Sequence, residues 1–67
     1  MLTRIVTVGA SQDAARARAA LEGLSGVLAA DLLADGRSIR MHQGDRLTQG
    51  DVIAALEKAG IGGAHIH

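Results

Sequence analysis

No cysteine occurs anywhere in the 67 residues, so neither a disulfide nor a thiolate metal site can staple the chain. Aromatic residues are missing too, which leaves Leu, Ile, Val, Met and thirteen alanines to build a core. Such small side chains suit a thin domain whose helices lie close to a sheet. Neither sign of charge dominates: seven basic residues face seven acidic ones, so no net field favours nucleic acid or an anionic membrane. No apolar run reaches 18 residues and no signal-peptide pattern opens the chain, so a soluble, cytoplasmic protein is expected. The length allows one domain over residues 1–67, and the Met1 start suggests a whole protein rather than an excised piece. A domain this small buries only about 60% of the surface its unfolded form exposes, which implies a stability of a few kcal/mol.

What is present begins with a sharp junction at Val6-Thr7-Val8-Gly9-Ala10-Ser11. Residues 2–8 are rich in β-branched types and read as a strand. Alternation puts Val6 and Val8 on the core side and Thr3, Ile5 and Thr7 on the other. Arg4 then falls on the core side, which requires a place at the rim where its head can reach water. Ser11 reads as the cap of a helix of about 12 residues, with Asp13 at its positive end. Ala14, Ala17, Leu21 and Leu24 form its apolar stripe, while Arg18 and Glu22 stand four apart and can pair. Gly26 marks the stop.

Val27 to Gln43 reads as a hairpin about Asp35-Gly36. A two-residue turn there sets Leu32 opposite Ile39 and Ala30 opposite Met41 on one face. Asp31 then meets Arg40, and Ala29 meets His42, on the other. Leu33 is the exception, apolar on the polar face. Thr48 caps a second helix, with Asp51 answering at N3 and Leu47 placed to staple onto Val52. Val52, Ile53, Leu56 and Ala59 make its buried stripe, and Gly60 ends it. After Gly62-Gly63 the chain finishes Ala-His-Ile-His, with Ile66 alone facing the core. The order β-α-β-β-α-β with right-handed crossovers predicts an α+β, ferredoxin-like sandwich. Its sheet is four-stranded and antiparallel, with two helices on one face and the first strand between the third and fourth.

Over nearly its whole length the chain resembles the heavy-metal-associated domain of small copper chaperones and of the N-terminal modules of metal-transporting ATPases. That family carries Met-x-Cys-x-x-Cys at the first helix and Leu-x-x-Leu-x-Gly-Val before the second strand. Leu21-Glu22-Gly23-Leu24-Ser25-Gly26-Val27 matches the latter residue for residue. The helix Asp51-Val52-Ile53-Ala54-Ala55-Leu56-Glu57-Lys58-Ala59-Gly60-Ile61 has the family's look as well. Counting back from Leu21 sets the two cysteine positions at Ala10 and Asp13, with Val8 at the methionine; an alternative alignment sets them at Gln12 and Ala15. Neither supplies sulfur, and Cu(I) prefers soft thiolates. The resemblance thus implies a fold and a metal-trafficking setting without the family's ligands.

The remaining metal-ligating candidates are His42, His65 and His67. Strand parity points all three to the helix-free face, near the edge where the first strand begins and away from the family's metal loop. His65 and His67 stand roughly 6.5–7 Å apart at the backbone, a spacing that can chelate Zn, Ni or Cu(II). His42 lies two strands over, at roughly 9.6 Å. The plain alternative is three exposed histidines, two of them at a frayed end. Two chains paired symmetrically would bring four or more imidazoles together.

Other chemistries have less behind them. The Gly9-Ala10-Ser11 turn presents backbone N–H groups, but Asp13 opposes an anion and no Gly-x-Gly-x-x-Gly follows. Arg4, Arg37, Arg40 and Arg46 lack the aromatics on which RNA-recognition sheets stack bases, so no nucleic-acid partner is expected, nor a membrane. No nucleophile, base and orienting acid share a neighbourhood, so no enzyme is expected. Two functions of different class stand: metal handling through histidines, or a metal-independent docking module on the same fold. A metal transporter or another protein is the partner expected of either, and the open sheet face suits a homodimer.

Overall fold

A computed structural model describes residues 1–67. It sets β1 (Leu2–Thr7), α1 (Ser11–Glu22), β2 (Val27–Leu32), β3 (Ser38–Gln43), α2 (Gln49–Lys58) and β4 (His65–Ile66) in that order. The strands form one sheet, β2-β3-β1-β4, with every pairing antiparallel. Val6, Val8, Ala30, Ile39 and Met41 of the sheet side share a single core cluster with Ala14, Ala17 and Leu21 of α1 and Val52 and Leu56 of α2. Both helices therefore cover the same face, and the fold is the ferredoxin-like sandwich expected from the element order. Alanine at the two buried positions before Leu21 lets α1 approach the sheet closely.

Arg4 sits at the rim of the helix-covered face, as parity requires. Its Nε donates to Gln43 Oε1 at 2.9 Å, and the fully buried Gln43 gives its own Nε2 to the carbonyls of Gly44 and Leu47. That arrangement satisfies the amide on every side, and no buried side-chain polar atom lacks a partner. Two core assignments differ from expectation. Ile61 is buried, and Ile53 is not, being 38% exposed. Ile53 lies about 100° round the helix from Val52 and borders the Gly62–Ala64 segment, whose glycines offer no side chain to cover it.

The hairpin register is the expected one, Leu32 to Ile39, Asp31 to Arg40, Ala30 to Met41 and Ala29 to His42. The turn itself is wider. Leu33 N–H donates to Ser38 C=O at 2.8 Å, and Gly36 N–H closes on Leu33 C=O at 3.1 Å, with Gly36 at φ +73°. The Asp35 carboxylate causes this by accepting from Arg37 N, Ser38 N and Ser38 Oγ, which holds residues 34–37 off the ladder. Adding one residue on each side leaves the register untouched. A bulge at Leu28 shifts the far end of β2, so that Val27 meets Gln43.

Thr48 and Asp51 form the capping box expected of α2, at 3.2 Å and 3.0 Å. Ser11, by contrast, does not cap α1. The N-cap is Ala10, with an extended backbone and no side-chain cap, because the turn closes one residue early through Asp13 N–H to Ala10 C=O.

The carboxyls of Asp35 and Asp51 are both held below the usual aspartate value. The Ser38 hydroxyl leads for Asp35 and the Thr48 backbone N–H for Asp51. A folded-state pKa below the unfolded one stabilises the fold above the unfolded pKa, and that contribution disappears as pH falls through the folded value. The urea midpoint is therefore expected to fall on acidification from about pH 5 to about pH 2, with an Asp35→Asn/Asp51→Asn variant showing a flatter acid limb. Parallel acid limbs in the two proteins would refute the assignment.

Candidate functional site

His65 opens the outer strand β4 and His67 directly follows it, so the two flank Ile66. Ile66 packs toward the core, so the two imidazoles occupy the opposite, helix-free face, and both are exposed. The register pairs His65 with Thr7 and Ile66 with Val6, and His67 N–H donates to Ile5 C=O at 2.8 Å. This corrects the expected position. The pair lies along the second half of β1, beside the end that leads into residues 8–10 and α1, and not where β1 begins. The reason is length: β4 runs antiparallel to β1 and has only two residues, so it meets the end of β1 and stops.

His42 does lie near the start of β1, opposite Thr3. It is two strands from β4 and displaced by two residues from His67, roughly 12 Å at the backbone. No group of three or more His, Asp or Glu side chains converges anywhere in the fold. His42 therefore stands apart from His65 and His67, which are two residues apart along the chain on one face. Two of the three rings engage a threonine: His42 Nδ1 lies 3.0 Å from Thr3 Oγ1, and His67 Nε2 lies 3.2 Å from Thr7 Oγ1.

The Thr7 contact continues. Thr7 Oγ1 is 2.9 Å from Ser38 Oγ, and Ser38 Oγ is 2.6 Å from Asp35 Oδ2. A line of hydrogen bonds thus crosses the open face from His67, just past β4, through β1 and β3 to the hairpin turn. Sequence reasoning missed it because its members lie up to 60 positions apart. The only signal was the shared parity of Thr7 and His65 on one face, without the two-residue lean of His67 along the strand.

At the junction where thiolates would be expected, Ala10 and Asp13 are half-buried. Asp13 Oδ1 accepts from Arg16 at 3.0 Å, which occupies the one charged group in the first turn of α1. On the far edge, β2 presents Leu28 at 65% and Leu32 at 45% exposure. Arg18 guards part of that edge, donating from Nε to Ala30 C=O at 2.9 Å while its NH2 pairs with Glu22 at 2.9 Å. Asp31 and Arg40 face each other across the ladder but form no ion pair; the three pairs present are Met1–Asp45, Asp13–Arg16 and Arg18–Glu22. No helix is long and apolar enough to cross a membrane.

No family model matches the chain, and no curated protein matches it by sequence. Among solved structures, one described as "Crosstalk between Cu(I) and Zn(II) homeostasis" is similar over 100% of both chains, with a TM-score of 0.80 at 16% identity. Likeness at that identity establishes the ferredoxin-like fold shared by the two chains.

Proposed function

We propose that this chain handles metal ions in the manner of a small chaperone, holding Zn, Ni or Cu(II) through His65 and His67. The observation that carries the reading is the placement of two imidazoles either side of Ile66, one in β4 and one directly after it, beside the end of β1. The solved structure of the same shape concerns Cu(I) and Zn(II) homeostasis, which supports a metal-linked role. Imidazole suits borderline ions, whereas Cu(I) asks for sulfur, and this chain has no thiol. Two nitrogens leave coordination positions open. An open site suits transfer, since a second copy of the chain or a partner such as a metal transporter can complete it and then withdraw the ion. A homodimer through the helix-free face would bring four imidazoles together.

The second reading is a docking module that needs no metal. It is favoured by Leu28 and Leu32, two large apolar side chains exposed on the outer strand β2.

Calorimetric titration with Zn(II), Ni(II) and Cu(II) separates the two. Metal handling predicts binding at about pH 7.5 that weakens by about tenfold or more at about pH 5.5, because protons compete for imidazole nitrogen. His65→Ala/His67→Ala should abolish it, while His42→Ala should leave it intact. Absence of heat with all three ions would remove the metal reading and leave the docking module.

A further inference from the structure

The hydrogen-bonded line across the open face has a sense that can be read by counting protons. Asp35 is an acceptor: Oδ1 takes the backbone N–H groups of Arg37 and Ser38 at 2.9 Å and 2.8 Å, and Oδ2 takes the Ser38 hydroxyl at 2.6 Å. Those same contacts hold its carboxyl ionised well below neutrality. A serine hydroxyl has one proton, and here it points at Asp35. Ser38 Oγ must then accept from Thr7, 2.9 Å away. The Thr7 hydroxyl proton is thereby occupied, so Thr7 Oγ1 must accept from His67 Nε2 at 3.2 Å. The reverse sense would set two oxygens 2.9 Å apart with no proton between them.

We propose that Asp35, Ser38 and Thr7 lock His67 as its Nε2–H tautomer, so that Nδ1 is the ring nitrogen it presents to a divalent transition-metal ion. The metal half of this statement rests on the function proposed above; the tautomer half does not. Ligating histidines commonly donate their second ring N–H to a carboxylate or carbonyl, which fixes the ring and raises its basicity. Here two hydroxyls transmit the same hold from a carboxylate on the β2–β3 turn. Thr7 and Ser38 are positioning residues, acting on the ion only through His67. His42 is turned the other way, with Nδ1 against Thr3, so its free nitrogen is Nε2.

Long-range proton–nitrogen NMR on the metal-free protein in alkaline buffer reads the lock directly. The expected spectrum gives His67 a protonated Nε2 whose proton exchanges slowly enough to be seen and shows a cross-peak to Thr7, with a bare Nδ1. Thr7→Val keeps the β-branched shape, removes the acceptor, and should lose the protected proton; Thr7→Ser should restore it. Far-UV circular dichroism on each variant checks that the fold persists. A His67 ring carrying its proton on Nδ1, or one unchanged by Thr7→Val, overturns the lock. Zn(II) and Ni(II) titrations of the same proteins read its use: Thr7→Val should weaken binding by about 10–100-fold, with Thr7→Ser near wild type. Binding that needs His65 and His67 but ignores Thr7→Val overturns the positioning role and leaves metal handling intact. A locked tautomer in a protein that binds neither of these ions, nor Cu(II) in the titration above, overturns metal handling, and with it the metal half of the proposal.

Discussion

Leu21→Ala is expected to remove a large share of the fold's stability, lowering the urea midpoint far more than any surface truncation. Leu21 is fully buried and is the largest side chain α1 contributes to the core. Truncating a leucine in such a place costs roughly 2–5 kcal/mol, the upper end applying where neighbours cannot collapse into the void. They cannot here. The other buried positions of α1 are Ala14 and Ala17, which have no length to swing inward, and the chain holds no aromatic ring that might tilt into the gap. Against this stands a total stability of roughly 3–10 kcal/mol for a chain of this length. Urea unfolding followed by far-UV circular dichroism measures the loss, with Leu32→Ala as the comparison. Leu32 is 45% exposed on the outer strand, and its truncation should cost less than about 1 kcal/mol. Equal midpoints for the two variants would mean that Leu21 is not where the core is anchored.

Leu21 was also among the residues whose role is legible in the sequence, and the reason is local. A helix stripe at i, i+3 and i+7, a Thr48–Asp51 capping box and an alternating hairpin all express their partners within a few positions. The register about Asp35-Gly36 is a stricter case. It survives a wider turn than the dipeptide suggests, because apolar pairing of Leu32 with Ile39 and Ala30 with Met41 fixes it independently of the loop. What the sequence does not express is where a short terminal strand docks. Two residues of β4 carry too little pattern to choose between the two halves of β1, and the choice moves His65 and His67 from one end of the sheet to the other. Ile61 and Ile53 exchange roles for a related reason. Their burial depends on the path of Gly62-Gly63 after α2, which no periodicity encodes. The Asp35–Ser38–Thr7–His67 line is the extreme case, since it depends on register across three strands at once.

The same junction that opens α1 supports an expected gain. Ala10→Cys/Asp13→Cys should turn a protein without a Cu(I) thiolate site into one that retains Cu(I) against a competing chelator. The frame for it is already built. Ala10 stands at the N-cap and Asp13 at N3 of α1, the same two positions from which Thr48 and Asp51 on α2 each reach the other's backbone N–H. A thiol at the positive end of a helix loses its proton readily, and thiolate is the form Cu(I) prefers. The substitution asks little of the fold. Ala10 makes no side-chain cap, and the Asp13–Arg16 pair it removes is a surface contact whose worth is about 0–1 kcal/mol. Each single cysteine should fall well short of the pair, since one sulfur cannot chelate. Placing the pair at Gln12 and Ala15 moves both sulfurs onto exposed positions of the helix, away from the half-buried junction, and should hold the ion more loosely. A chelator competition in which the Ala10/Asp13 pair performs no better than its single variants would show that the shared fold does not bring the two positions together. Retention by the pair alone would locate the difference between this chain and a copper carrier in two side chains of one helical turn.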